Sequence, residues 1–367
     1  MKKHYVENQL QLIKYFLLSF LAFIFFINKS ISQTNISGII NSYSSVTAIN
    51  TPNCVPCAAS CVHTVTVANG ALFAPGDFGL IIQMKGATIN TANTITSGAV
   101  TAINNSGNYE FFEIVSIAGN VLTTTFPFIK QYSVAGVVQV VRVPNYPNGA
   151  NITGTLTAAD WSEATGTGGV LALKATNVIF SANIDVVGKG FQGVEMNVDG
   201  TPDNCTVDPA SVFVVPSTNN SSWFKGAGIV ADDPATSKGR APRANGGGSG
   251  ISGDSGGGGG SNYGSGGEGG KRWCDINNLN AGGLGGRSLI QFVSDNKVFL
   301  GGGGGSGFRT TGNSATPSNG GGIVMIFANN ITGNGFTINA SGVNAFAVNP
   351  TGAPDGGGGG GAGGSVA

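Results

Sequence analysis

Gly168-Gly-Val-Leu-Ala-Leu-Lys-Ala175-Thr-Asn-Val178 and Gly321-Gly-Ile-Val-Met-Ile-Phe-Ala328-Asn-Asn-Ile331 align without a gap. The apolar phase, the leading glycine pair, one alanine and one asparagine coincide. Further on, Ile184-Asp-Val-Val-Gly188 answers Ile338-Asn-Ala-Ser-Gly342 after one inserted residue. A third copy opens at Gly363-Gly-Ser-Val366-Ala367, where the chain stops, so a fragment of a longer protein is expected. Each unit reads as two β strands joined by a short turn and entered through Gly-Gly. One strand pair cannot bury its own apolar face, whereas stacked copies bury a continuous core, so residues 150–367 are expected to form a β-solenoid-like domain.

Working back toward the N-terminus, residues 33–149 read as a separate all-β module. Residues 62–67 (VHTVTV) alternate apolar and polar side chains. Phe78-Gly-Leu-Ile-Ile-Gln-Met84 is an apolar run between Pro75-Gly-Asp77 and Lys85-Gly86. Residues 109–117 are aromatic and β-branched, and Val137-Val-Gln-Val-Val-Arg-Val143 ends at Pro144. Short runs at close spacing with Gly, Asn and Pro between them predict an antiparallel sandwich or barrel. No stretch shows a 3.6-residue period with helix caps.

Glycine dominates the second half: the 367-residue chain holds 62 glycines, and the densest stretch is 246–307, with runs at 256–260 and 301–305 and another at 356–361. Two readings stand. The runs are flexible linkers, because glycine has the most conformational freedom to lose. Alternatively, they are ordered: without Cβ atoms, extended polyproline-II-like segments can pack backbone against backbone, as glycine does at the collagen axis. In that case their N–H and C=O groups must pair between runs. Single apolar residues (Tyr263, Trp273, Leu284, Phe299, Leu300, Phe308) punctuate the runs like anchors.

The first residues read as a targeting segment. Lys2, Lys3 and Lys14 precede the apolar stretch 15–27, which is too short to span a bilayer but suits a signal peptide over 1–32, with cleavage before Gln33. An uncleaved membrane anchor is the competing reading. Export makes disulfides the default state of the five cysteines, Cys54, Cys57, Cys61, Cys205 and Cys274, with an odd one left over. The Cys54-x-x-Cys57-x-x-x-Cys61-x-His63 cluster has zinc-like residue types, but the exported context favours disulfides, and no metal or cofactor is assigned.

Charged residues are only 10% and the net charge is +0, so there is no electrostatic case for nucleic acid or an anionic membrane surface. Catalytic constellations are also missing. His63 is the single histidine after the signal, without a nameable orienting partner. Glu110 and Glu113 are an odd number of residues apart on a strand and face opposite ways. Asp199, Asp203, Asp208, Asp232 and Asp233 read as solvated loop acids, with calcium binding as the alternative. One cluster, Asp185, Lys189 and Glu195, merits testing for polysaccharide lyase or hydrolase chemistry. The stronger candidates are aromatic: Trp161, Trp223, Tyr263 and Trp273 fall in loops beside glycine or polar residues, where rings on a rigid scaffold can stack on sugars or anchor a protein.

Several segments together resemble a known family. Pro75-Gly-Asp-Phe-Gly-Leu-Ile-Ile-Gln-Met-Lys-Gly86, Gly107-Asn-Tyr-Glu-Phe111, Gln139-Val-Val-Arg-Val-Pro144-Asn-Tyr146, Gly188-Lys-Gly-Phe191-Gln-Gly193 and Lys225-Gly-Ala-Gly-Ile229 are similar to the glycine-rich N-terminal module of large exported surface proteins of Bacteroidota that use type IX secretion. The resemblance implies export, surface display and an adhesive or structural role without catalytic residues. The sorting domain that often ends such proteins is not present here. The expected partners are extracellular polysaccharide or other surface proteins. An enzyme on a β-helix is the alternative, and a calcium-stabilised stalk is a third reading.

Overall fold

The computed structural model describes Lys14 and residues 32–51, 63–194, 205, 207–216, 223–274, 280–309, 318–345 and 355–367. Strands β1 (Thr34–Ile39), β2 (Ser42–Asn50), β3 (Thr64–Val67), β4 (Phe78–Gln83), β5 (Thr88–Ile89), β6 (Val100–Ala102), β7 (Tyr109–Ala118), β8 (Val121–Thr124), β9 (Val138–Val143) and β10 (Asn145–Tyr146) come first. They are followed by β11 (Ala150–Thr157), β12 (Val170–Phe180), β13 (Ile184–Asp185), β14 (Ile323–Thr332), β15 (Ile338–Asn339) and β16 (Ser365–Val366). The described fold is all-β, with a few short 3₁₀ turns.

Six strands close an antiparallel barrel in the order β2-β3-β8-β7-β4-β9. Its interior is filled by Val46, Val65, Val67, Phe73, Ile81, Phe112, Ile114, Leu122, Val138 and Val140. The continuous apolar character of β4 follows from burial on both faces. Ile81 points into the barrel, while Leu80 and Ile82 point out into a second core shared with the rest of the molecule.

That second core joins the barrel to a parallel sheet of order β15-β13-β11-β12-β14-β16, with β1 beside β11 and β10 beside β12. The sequence repeat is the register of this sheet. Val170 pairs with Ile323, Ala175 with Ala328, Asn177 with Asn330 and Ile184 with Ile338. The third copy continues it, as Ile323 pairs with Ser365 and Val324 with Val366. Stacking puts like on like: the Asn330 amide donates to the Asn177 Oδ1 at 3.0 Å. Leu171, Leu173, Val178, Phe180 and Ile184 face one core, and Val170 and Ala172 the other. Paired amide bonds lock the junction with the barrel. Gln139 both donates to the Gly168 carbonyl and accepts from the Gly168 N–H, each at 2.9 Å. Buried Asn41 does the same to Ala172, donating at 2.7 Å and accepting at 3.1 Å.

The glycine runs form the third part, and they are ordered. Along 301–306 the N–H groups donate in rotation: Gly301 and Gly304 to Gly321 and Ser318, Gly302 and Gly305 to Ser261 and Gly258, Gly303 and Ser306 to Ala227 and Phe224. The carbonyls accept in the same rotation, from Phe191 and Val194, from Ala362 and Gly359, and from Gly247 and Gly250. Directions that repeat every three residues are those of a polyproline-II-type helix, which has about 3 residues per turn and no internal hydrogen bonds. Six extended segments therefore surround this run, alternately taking and giving hydrogen bonds. Neighbouring segments in the ring also bond to one another, for example Gly260 N–H to Gly360 O and Ala227 N–H to Gln192 O, each at 2.9 Å. The arrangement is hexagonal.

Glycine is required here for closeness rather than for unusual dihedrals. None of the glycines at 256–260 or 301–305 has a positive φ. A Cβ placed on Gly258 would run into the Leu284 carbonyl, and one on Gly303 into Gln192. Gly267 differs, with nothing within 4 Å of its Cβ position. We predict that Gly303→Ala and Gly258→Ala each lower unfolding free energy by about 2–4 kcal/mol, from overpacking plus displaced backbone hydrogen bonds. Gly267→Ala stays within about 0.5 kcal/mol of wild type. Denaturant titration of the three variants checks the contrast.

Candidate functional site

A second run, 255–261, is surrounded on all sides but one. Gly256 and Gly259 donate to Gly270 and Gly267, Gly257 and Gly260 to Gly357 and Gly360, Gly258 and Ser261 to Gly248 and Asn245. Its carbonyls accept at Gly256 and Gly259 from Gly283 and Gly286, and at Ser255, Gly258 and Ser261 from Phe308, Gly305 and Gly302. By the three-residue rotation the carbonyls of Gly257 and Gly260 address the remaining direction, and among the described residues nothing donates to them. That direction is a groove of about 650 Å³, floored by Gly256, Gly257, Gly259 and Gly260 and walled by 265–270 and 355–361.

Exposed rings stand beyond both ends of one wall. Tyr263 precedes it and is 63% exposed; Trp273 follows it and is 73% exposed. At a rise of about 3.1 Å per residue, the ten residue steps from Tyr263 to Trp273 span about 30 Å. Their backbones are held although their rings are free. The Tyr263 carbonyl accepts from the Ser288 hydroxyl, and the Trp273 N–H donates to the Gly253 carbonyl at 3.0 Å. The Cys205–Cys274 disulfide staples the turn that carries Trp273. Buried arginines tie loops to the bundle: Arg240 donates to the carbonyls of Gly282 and Pro209, and Arg272 to that of Val207.

The other two aromatic candidates lie elsewhere. Trp161 is 2% exposed and packs edge-on against Phe191, with its indole N–H buried and unpartnered among the described residues. Trp223 is half-buried at a positive φ of 69°, its carbonyl accepting from Gly239. A loop position beside glycine is common to all four, so sequence could not separate the two inward rings from the two outward ones. The groove carried no side-chain signal at all.

The remaining polar candidates have structural partners. His63 is buried, its Nδ1 accepting from the Phe128 N–H at 3.2 Å. Glu110 accepts from the N–H groups of Ile129 and Lys130, both at 2.8 Å, and so closes a loop. Asp185 accepts from the Val187 N–H, while Lys189 pairs with Asp160 at 2.6 Å, and Glu195 lies outside the described residues. Asp208 and Asp233 cap short 3₁₀ turns at Ala210 and Ala235. Asp232 bridges Lys85 at 3.2 Å and Arg243 at 3.0 Å. Burial resists its ionisation, but the two cations outweigh it and hold the carboxyl below its usual range. Lys85 itself is buried and also pairs with Glu163 at 2.6 Å. Cys54, Cys57, Cys61, Asp199 and Asp203 lie outside the described residues. Among the described residues there is no cluster fit to hold a metal, and no helix is long and apolar enough to cross a membrane.

No family model and no curated protein matches the chain. Solved structures with local similarity include the Gp54 tailspike of Acinetobacter baumannii bacteriophage AP22, in complex with capsular saccharide, at 11% identity and a TM-score of 0.19, covering 38% of this chain and 17% of that one. The tailspike gp49 of Pseudomonas phage LKA1 matches at 15% identity and a TM-score of 0.19, covering 41% and 23%. Gp61 of Pseudomonas phage phi297 matches at 13% and 0.19, covering 42% and 24%. The chain thus spans less than a quarter of each tailspike.

One buried charge makes the bundle pH-sensitive. Burial, and secondarily the nearby Arg243, push the Lys225 ammonium down to about 7 from 10.5. Between those values the unfolded chain holds one proton more than the folded one, so stability rises with pH through that window and the full penalty applies below pH 7. Lys225→Met should be more stable than wild type at pH 6. Its stability should also lack this rise, which has a slope of at most about 1.4 kcal/mol per pH unit. Urea unfolding from pH 6 to 9 measures both.

Proposed function

We propose that this chain is an exported cell-surface module that attaches to an extended extracellular partner, and that its open glycine groove with the flanking rings of Tyr263 and Trp273 is the contact site. The observation that carries this reading is the pairing of rigidity with exposure. Both rings sit on turns anchored by backbone hydrogen bonds, and one by a disulfide, yet each projects most of its surface into solvent. Exposed rings on a scaffold lose little entropy on binding and suit stacking on sugar faces or anchoring a protein segment. A groove that is long, shallow and uncharged along its floor suits a linear polymer better than a compact small molecule. The Cys205–Cys274 disulfide fits an oxidising compartment, as does the apolar N-terminal stretch with its basic flank.

The test is attachment itself. Purified protein is applied to immobilised extracellular polysaccharides and to intact cells, beside a Tyr263→Ala/Trp273→Ala variant. Attachment should fall at least tenfold in the variant with the melting temperature unchanged, since both rings are exposed. Equal attachment by both proteins would remove the groove from the function. Protein recovered from the medium should begin at Gln33.

A further inference from the structure

The groove is the one direction around 255–261 left unfilled among the described residues, and the lattice states what fits there. Around 255–261 the occupied positions alternate in hydrogen-bond role. In ring order, 302–308 gives to the run, 357–360 takes from it, the groove follows, then 266–270 takes, 283–286 gives and 245–248 takes. Alternation assigns the groove a giving role, and the two acceptors waiting for it are the carbonyls of Gly257 and Gly260. They lie three residues apart, about one turn or 9 Å. Their occupant must therefore present an N–H every third residue, in an extended chain of the same pitch.

A second, independent observation concerns the wall. Gly267 and Gly270 line the groove, have no positive φ, and have nothing within 4 Å of their Cβ positions. Neither backbone conformation nor packing within the described chain requires glycine there. At Gly258 or Gly303 the absent Cβ makes room for a neighbouring backbone. The same absence at Gly267 and Gly270 leaves room for a backbone that the described residues do not supply. The next lattice position shows the mode of entry: 356–362, remote in sequence, lies along the bundle through Gly257-to-Gly357 and Gly260-to-Gly360 bonds.

We infer that the groove takes an extended, glycine-rich peptide segment of a partner protein, docked as a further polyproline-II-type helix of the bundle. This rests on the proposed attachment role and names its partner class. Close packing rejects side chains, so specificity comes from the absence of Cβ atoms in the ligand, while Tyr263 and Trp273 contact whatever flanks its glycine stretch. A free glycine segment loses much conformational entropy on docking, so single segments bind weakly and tandem ones gain by avidity.

The probe is a synthetic oligoglycine of about nine residues, three turns, with lysine at its ends for solubility. An oligoalanine of equal length is the control. Binding is followed by the carbonyl ¹³C resonances of Gly257 and Gly260 in the intact folded chain. Expected are shifts at those two carbonyls with the glycine peptide, none with the alanine peptide, and at least tenfold weaker binding to Gly267→Leu and Gly270→Leu. Both variants should melt like wild type, because their side chains meet open space. Binding that survives both leucines, or that leaves Gly257 and Gly260 unshifted, overturns the inference. Concentration-dependent dimerisation abolished by Gly270→Leu, without peptide binding, also overturns it and makes a second copy the occupant. If the peptide does not bind while polysaccharide attachment still depends on Tyr263 and Trp273, the inference fails and the attachment role stands. Loss of both removes both.

Discussion

Backbone-to-backbone contact between chains without side chains sets the terms for this molecule. A hydrogen bond between two extended runs brings their axes so close that a Cβ on the inner face would overlap a neighbouring carbonyl. Wherever a run is enclosed, as at 301–305, every position must therefore be glycine or another very small residue. In return, each N–H and C=O along 301–306 finds a partner, which an irregular glycine loop could not achieve. There is little apolar surface in such a bundle, so its order depends on the cores beside it.

Those cores position the runs. The parallel sheet stacks β12, β14 and β16 in fixed register, and the chain leaves and enters these strands through segments that are themselves members of the bundle, such as 190–194, 318–322 and 361–364. Phe191, Leu300, Phe299 and Leu289 reach from bundle segments into the core shared with the barrel. Apolar side chains at run ends thus fix the axial position of glycines that carry no positional information. The barrel, through β4 and β9, closes that core from the far side.

Much of the strand architecture was legible because side chains alternate and repeat. The ungapped match between the two Gly-Gly-led segments is the observed pairing of β12 with β14, and the single inserted residue is the step from there to Ile184 opposite Ile338. The apolar run at 78–84 was legible as a strand, while its burial on both faces emerged only from the two cores that meet at β4. By contrast, β1 reads like its barrel neighbours but pairs in parallel with β11, a partner remote in sequence that no local pattern indicates. For the glycine runs, sequence left flexible linkers and ordered extended segments both open, and which run neighbours which was not legible, since 256–260 and 301–305 are identical letter for letter. For the same reason, the enclosed Gly258 and the open Gly267 look alike until the ring around 255–261 is traced. Glycine is normally read as freedom; here its meaning depends on what lies against its missing side chain.

The most direct test of the hexagonal bundle is amide hydrogen exchange across 256–260 and 301–305 in the native protein. A hydrogen-bonded lattice requires these N–H groups to exchange as slowly as those of β12 and β14, opening only with global unfolding. Exchange at free-chain rates, with the strands protected, would show the glycine runs to be linkers and would contradict the architecture from which the groove derives.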